Sequence, residues 1–198
     1  MTKKIKSSWL YYTGRAIFRL MFGIIWRWEI KGQENIPADG GVIIAPNHRS
    51  YADPPLTGSA MERPLHFMAK EELFGIPVLG FLINRTNAFP VNRGAGDVGA
   101  FKTALNLLEN GETVLVFPEG TRAKDVDFRP AKQGAGMLAC RAQVPVVPAR
   151  IFGNEKIGKF RKIRVIFGKP LHPPKEYTKD DYGEFSEAVM DEIKKLSW

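Results

Sequence analysis

The chain has 198 residues, 44% of them apolar and 25% charged, with a formal net charge of +8. That length suits one domain with a sizeable core, and the composition excludes disordered, fibrous and low-complexity classes. The charge is uneven, since residues 1–31 carry seven Lys or Arg against Glu29 alone, whereas residues 171–198 net −3. A basic amino-terminal end points to an anionic partner: a lipid surface, a nucleic acid or an acidic carrier protein. Cys140 is the only cysteine. No intramolecular disulfide can form, which fits a reducing compartment, and the setting Met137-Leu138-Ala139-Cys140 reads as core. Three histidines without clustered Cys/His spacing argue against a structural zinc, and no metal is expected.

Trp9 to Trp26 is rich in Leu, Ile, Phe, Tyr and Trp, but Arg15 and Arg19 interrupt it and leave Leu20–Trp26 as its longest uncharged run. A membrane span needs roughly 20 mostly apolar residues, and an arginine near mid-bilayer costs at least ~2.5 kcal/mol. At helical spacing Tyr12, Arg15, Arg19 and Gly23 share a narrow face, and Leu10, Ile17, Phe18, Leu20, Met21, Ile24 and Ile25 cover the remainder. Such a helix lies in the headgroup plane, its arginines toward phosphates; the competing reading docks it on the protein's own core. Residues 1–28 are therefore assigned as an interfacial membrane-anchoring helix and 29–198 as the enzymatic domain. No small-residue cleavage site follows the apolar run, so it is not read as a signal peptide.

The remaining elements alternate. Strands are expected at Trp28–Lys31, Val42–Pro46, Leu65–Ala69, Ala88–Val91, Thr113–Phe117, Val144–Arg150 and Ile163–Phe167. Helices are expected from Pro54 to about Met61 with Asp53 as N-cap, at 97–110 with Asp97 as N-cap, at 133–143 and at 179–196, with a loop-and-helix stretch over 71–84. Core packing is the expected use of the apolar side chains between Phe74 and Leu82, with an acyl tunnel as the second reading. The fold class that follows is α/β: a single domain with a largely parallel, mixed central sheet flanked by helices. Chemistry in such sheets gathers in loops beyond the carboxyl ends of strands. Three polar segments occupy that position: Asn47–Asp53, Asn92-Arg93 and Phe117–Arg122.

Taken alone, the His48-x4-Asp53 spacing is a weak signal. Five residues of regular helix rotate by ~140°, so the chain must fold back for a carboxylate to meet the imidazole. When it does, the acid fixes the tautomer at Nδ1 and leaves Nε2 free to take a proton, an effect worth roughly 10²–10⁴-fold on a hydroxyl. Phe117-Pro118-Glu119-Gly120-Thr121-Arg122 is sharper. Gly120 lets backbone amides approach an anion, Thr121 offers a hydroxyl, and Arg122 presents a bidentate fork to phosphate. Glu119 is awkward in an anion site and is assigned to orienting an arginine or bonding a substrate hydroxyl. Arg93 is a candidate second charge. Lys132 is a candidate third, beside the plainer reading of a solvated lysine.

Asn47-His48-x4-Asp53, Phe89-Pro90-Val91-Asn92-Arg93, Phe117–Arg122 and Val144–Pro148 together resemble the four ordered motifs of the glycerolipid acyltransferases, with the bacterial 1-acylglycerol-3-phosphate acyltransferases the nearest match. They span residues 47–148, about half the chain. The resemblance implies transfer of a fatty acyl group from coenzyme A or acyl carrier protein, as co-substrate, to the sn-2 hydroxyl of lysophosphatidic acid, with no bound cofactor. Carried over by position, His48 is the base and Asp53 orients it. Asn47, Arg93, Glu119, Gly120, Thr121 and Arg122 belong to acceptor-binding motifs, and Val144–Pro148 is linked to the acyl-donor side or to shaping the apolar channel. The expected partners are lysophosphatidic acid and an anionic lipid surface at the cytoplasmic membrane face, with acyl carrier protein a further candidate. Nucleic acid is not among them. Another lysolipid, glycerol 3-phosphate, or a catalytically silent lipid-binding role are the alternatives.

Overall fold

The structure, a computed structural model, describes residues 8–92, 97–123 and 127–198, the Lys156 side chain aside. Seven strands form one mixed sheet: β1 (Glu29–Lys31), β2 (Val42–Pro46), β3 (Leu65–Lys70), β4 (Ala88–Val91), β5 (Thr113–Leu115), β6 (Val146–Phe152) and β7 (Arg164–Phe167). Their order across the sheet is β1-β7-β6-β2-β5-β3-β4. The five from β6 to β4 are mutually parallel. β7 runs antiparallel to β6 and parallel to β1, so the reversal sits at one edge.

Helices α1 (Trp9–Ile25), α2 (Asp53–Ser59), α3 (Glu71–Phe74), α4 (Pro77–Arg85), α5 (Val98–Glu109), α6 (Gly134–Ala142) and α7 (Asp181–Lys195) complete the described residues. The strand period of two splits the core. Val42 and Ile44 join Phe22, Trp26 and Leu56 on one face, whereas Ile43 and Ala45 join Ala104, Leu138 and Met190 on the other. Cys140 is fully buried, as its sequence setting requires.

Three of the differences at element boundaries have a direct physical reason. β5 ends at Leu115 because the chain turns at Val116 toward Pro118, although the Val116 N–H still reaches the Ile44 carbonyl at 3.0 Å. β6 begins at Val146, since the Val144 N–H closes the end of α6 on the Ala139 carbonyl. Asp53 is not the N-cap of α2. It lies inside the helix behind Ala52, and its carboxylate points back into the preceding loop.

α1 departs further from its expected geometry. Tyr11, Phe22 and Trp26 are buried against the domain, and the Tyr11 hydroxyl accepts from the Leu65 N–H at 2.8 Å. Arg15 lies on this docked side and donates to the Met61 and Glu62 carbonyls, and Arg19 pairs with the Glu62 carboxylate at 2.9 Å. The arginines therefore face the protein, where the Met61 and Glu62 carbonyls and the Glu62 carboxylate accept from them. Trp9, Ile17, Leu20 and Ile24 point outward, 60–73% exposed. α4 behaves alike: the expected core residues Val78 and Phe81 are 74% and 55% exposed. The start of α1 meets the end of α4 where the Ser8 hydroxyl donates to the Arg85 carbonyl. Among the described residues no helix is long and apolar enough to cross a membrane.

Candidate active site

β2 and β5 are adjacent and parallel. The loops leaving their carboxyl ends must therefore emerge side by side, and hydrogen bonds knit them together. The Ala123 N–H donates to the His48 carbonyl at 2.8 Å, and the His48 N–H donates to Glu119 Oε1 at 2.8 Å. His48 is 5% exposed and its ring stacks on Phe117, 3.7 Å between centroids.

Asp53 is completely buried. Its Oδ2 lies 2.9 Å from His48 Nδ1 and accepts the Arg49 and Ser50 N–H groups, each at 2.8 Å. The chain does fold back between histidine and acid, and these two amides hold the return. An oxygen already accepting two N–H donors acts as an acceptor toward imidazole as well, which assigns the hydrogen to Nδ1 and the lone pair to Nε2. The remaining oxygen, Oδ1, accepts from Asn154 Nδ2 at 2.7 Å.

Asn154 is the residue that sequence reading missed. It stands 101 positions from Asp53, 1% exposed, just beyond β6. The preceding Gly153, at φ +82°, turns the chain out of the strand. The only signal was a Gly-Asn pair two residues after a strand, a common turn sequence.

Two expected substrate contacts are instead internal ties. Glu119 is 1% exposed, its Oε2 accepting from the Arg129 N–H at 2.9 Å while Oε1 holds His48. It clamps two loops through backbone amides and orients no arginine side chain among the described residues, which answers why a carboxylate sits beside a cationic turn. Asn47 is 3% exposed and pairs with Ile151 at both ends of its amide, accepting at 2.7 Å and donating at 3.2 Å. Its side chain fixes the end of β2 to β6.

The open side of the site carries the cations. Arg122 lies 3.5 Å over the Tyr51 ring, next to the His48 loop. Gly120 has φ +69°, and a Cβ there would stand 2.8 Å from Lys132 Cδ, so the lysine stem lies against the turn. The Lys132 N–H also donates to the Pro118 carbonyl at 2.8 Å. Thr121 is half-buried between Gly120 and Arg122. Arg93 lies outside the described residues. Its neighbour Asn92, past the end of β4, donates to Asp97 Oδ2 at 2.7 Å; this bond and one from Ala100 hold the Asp97 carboxyl below the usual range. Within Val144–Pro148, Val146 and Val147 are fully buried in the core.

A histidine whose Nε2 has no partner among the described residues, a carboxylate held by four donors, and arginine and lysine on an adjoining Gly turn define a group-transfer site for an anionic alcohol. A sequence model described as acyltransferase matches residues 27–152, and the chain belongs to that family; it is an acyltransferase. The 1-acyl-sn-glycerol-3-phosphate acyltransferase of Bacillus subtilis is 35% identical over 85% of this chain and 87% of its own length. The Brassica napus chloroplastic enzyme BAT2, of the same name, is 33% identical over 74% of this chain, which spans 46% of it. The crystal structure of the 1-acyl-sn-glycerophosphate acyltransferase PlsC from Thermotoga maritima superposes with a TM-score of 0.74 at 29% identity, covering 96% of this chain and 80% of that one.

Proposed function

We propose that this chain acylates the sn-2 hydroxyl of lysophosphatidic acid, taking the acyl group from an acyl-CoA or acyl-carrier-protein thioester. The observation that carries the reading is the dyad: His48 Nδ1 held by Asp53 at 2.9 Å, with no partner among the described residues at Nε2. Nε2 takes the hydroxyl proton as the oxygen attacks the thioester carbonyl. The carbon–sulfur bond then breaks, and His48 returns the proton to the departing thiolate. No covalent acyl-enzyme is needed, because the acceptor hydroxyl attacks the thioester directly. Arg122 and Lys132 face the acceptor's phosphate, which neither Asn47 nor Glu119 can reach. No cofactor enters the scheme. The relatives' names support the acceptor.

The uncharged outward faces of α1 and α4 support peripheral docking on a membrane, and the basic amino-terminal segment suits the anionic cytoplasmic leaflet. The test is thiol release by the purified protein from an acyl thioester, with and without lysophosphatidic acid. Acceptor-dependent release that falls by at least about 10³-fold in His48→Ala is the expected result. Release independent of acceptor, or an active His48→Ala variant, would overturn the proposal.

A further inference from the structure

We infer that the excursion from Gly153 to Lys162 is a second docking element, one that makes the protein prefer anionic lipid surfaces. The inference rests on the reading of α1 as a membrane-facing helix. From Glu155 to Arg164 the sequence holds five basic residues against one acid, with Phe160 among them. A short 3₁₀ helix, Asn154–Lys159, carries the chain out and Phe160 ends it. Phe160 is 59% exposed and has φ +50°. A bulky residue held in the left-handed region costs about 1–3 kcal/mol, a strain that a glycine or asparagine would largely avoid. The Phe160 ring contact with Trp26 offsets part of that cost and leaves most of the ring facing outward.

The tip is also seated in a specific place. Phe160 packs on Trp26, 5.6 Å between centroids, and the Trp26 indole N–H donates to the Ile157 carbonyl at 2.7 Å. Trp26 caps α1, so the tip continues the helix end where Ile24 and Ile25 are 69% and 42% exposed. The charges divide in two. Lys162 and Arg164 are held by Glu29, whereas Lys159, Arg161 and Arg27 have no carboxylate partner among the described residues. Unpaired cations around an exposed aromatic ring, contiguous with an uncharged helix face, match a surface that is apolar below and anionic above. An acidic protein would satisfy the cations but leave the α1 face uncovered.

The full-length protein should be sedimented with vesicles of phosphatidylcholine alone and of phosphatidylcholine with phosphatidylglycerol. Lys159→Ser with Arg161→Ser should weaken binding to the anionic vesicles by about fivefold per charge and leave the neutral vesicles unaffected. Phe160→Ser should weaken both. Lys159 and Arg161 are exposed and make no ion pair among the described residues, so thermal unfolding of that double variant should not move. Wild-type affinity in both tip variants would overturn the inference, as would loss of acyl carrier protein binding with vesicle binding intact. If Leu20→Ser with Ile24→Ser releases the protein while the tip variants stay bound, the tip alone is refuted. If neither set changes binding, or the parent protein binds no vesicle, membrane docking itself falls.

Discussion

At the carboxyl end of the sheet, Asp53 is fully buried and surrounded by four donors, while on the outer face of α1 Leu20 and Ile24 are 65% and 69% exposed. Each region inverts the usual distribution of side chains. A buried carboxylate is tolerable only when every oxygen is bonded, so its loops cannot relax without leaving an orphaned charge or amide. The exposed apolar face carries no such obligation and contributes little to folding. Function should therefore be lost with structure in the first region and independently of it in the second.

The largest test of that contrast is Glu119→Ala. It leaves the His48 and Arg129 amides without their acceptor, at about 1–3 kcal/mol, and lets His48 drift. Unfolding by denaturant should show that loss, and turnover should drop on the order of 10²-fold. Equal stability and activity in the variant would mean that the clamp holds nothing. Asn154→Ala removes one of the four donors around Asp53. We expect kcat to fall about tenfold with KM unchanged, as for one charge-assisted hydrogen bond; a change in KM alone would place Asn154 on substrate.

On the other side of the comparison, Leu20→Ser with Ile24→Ser should leave stability within about 0.5 kcal/mol. Turnover of vesicle-presented lysolipid should nonetheless drop about tenfold while a dispersed short-chain acceptor is used normally. Equal losses on both acceptors would show that the face is structural after all.

The smallest effect concerns the opposite end of the sheet. Burial pushes His66 below the usual histidine range, against the pull of Glu112 3.5 Å away. The unfolded chain thus takes up a proton near pH ~6.5 that the folded chain refuses, so stability should fall as pH drops below about 6.5. His66→Asn should flatten that acid slope in melting temperature. An unchanged slope would assign it to other groups.

Much of this was readable along the chain. Helix and strand periods gave the α/β alternation, and the Asn47–Asp53 and Phe117–Arg122 segments announced themselves by following apolar strands. What periodicity cannot report is the direction in which a side chain leaves its element. Arg15 and Arg19 share a helix face whether they meet lipid phosphate or the Glu62 carbonyl, and the apolar residues of α4 read as core until the packing leaves them outside. Glu119 and Asn47 stand inside substrate motifs, yet their partners, Arg129 and Ile151, are neighbours only after folding.

Sequence alone determined the local matters: which runs form strands, where turns fall, and that an imidazole, an acid and an arginine are available close to one another. Tertiary structure decided which of those polar groups stay on the open side of the loops and which hold the loops together. A buried oxygen must find donors, and the nearest ones, such as the Asn154 amide for Asp53, come from distant parts of the chain brought together only by the parallel sheet.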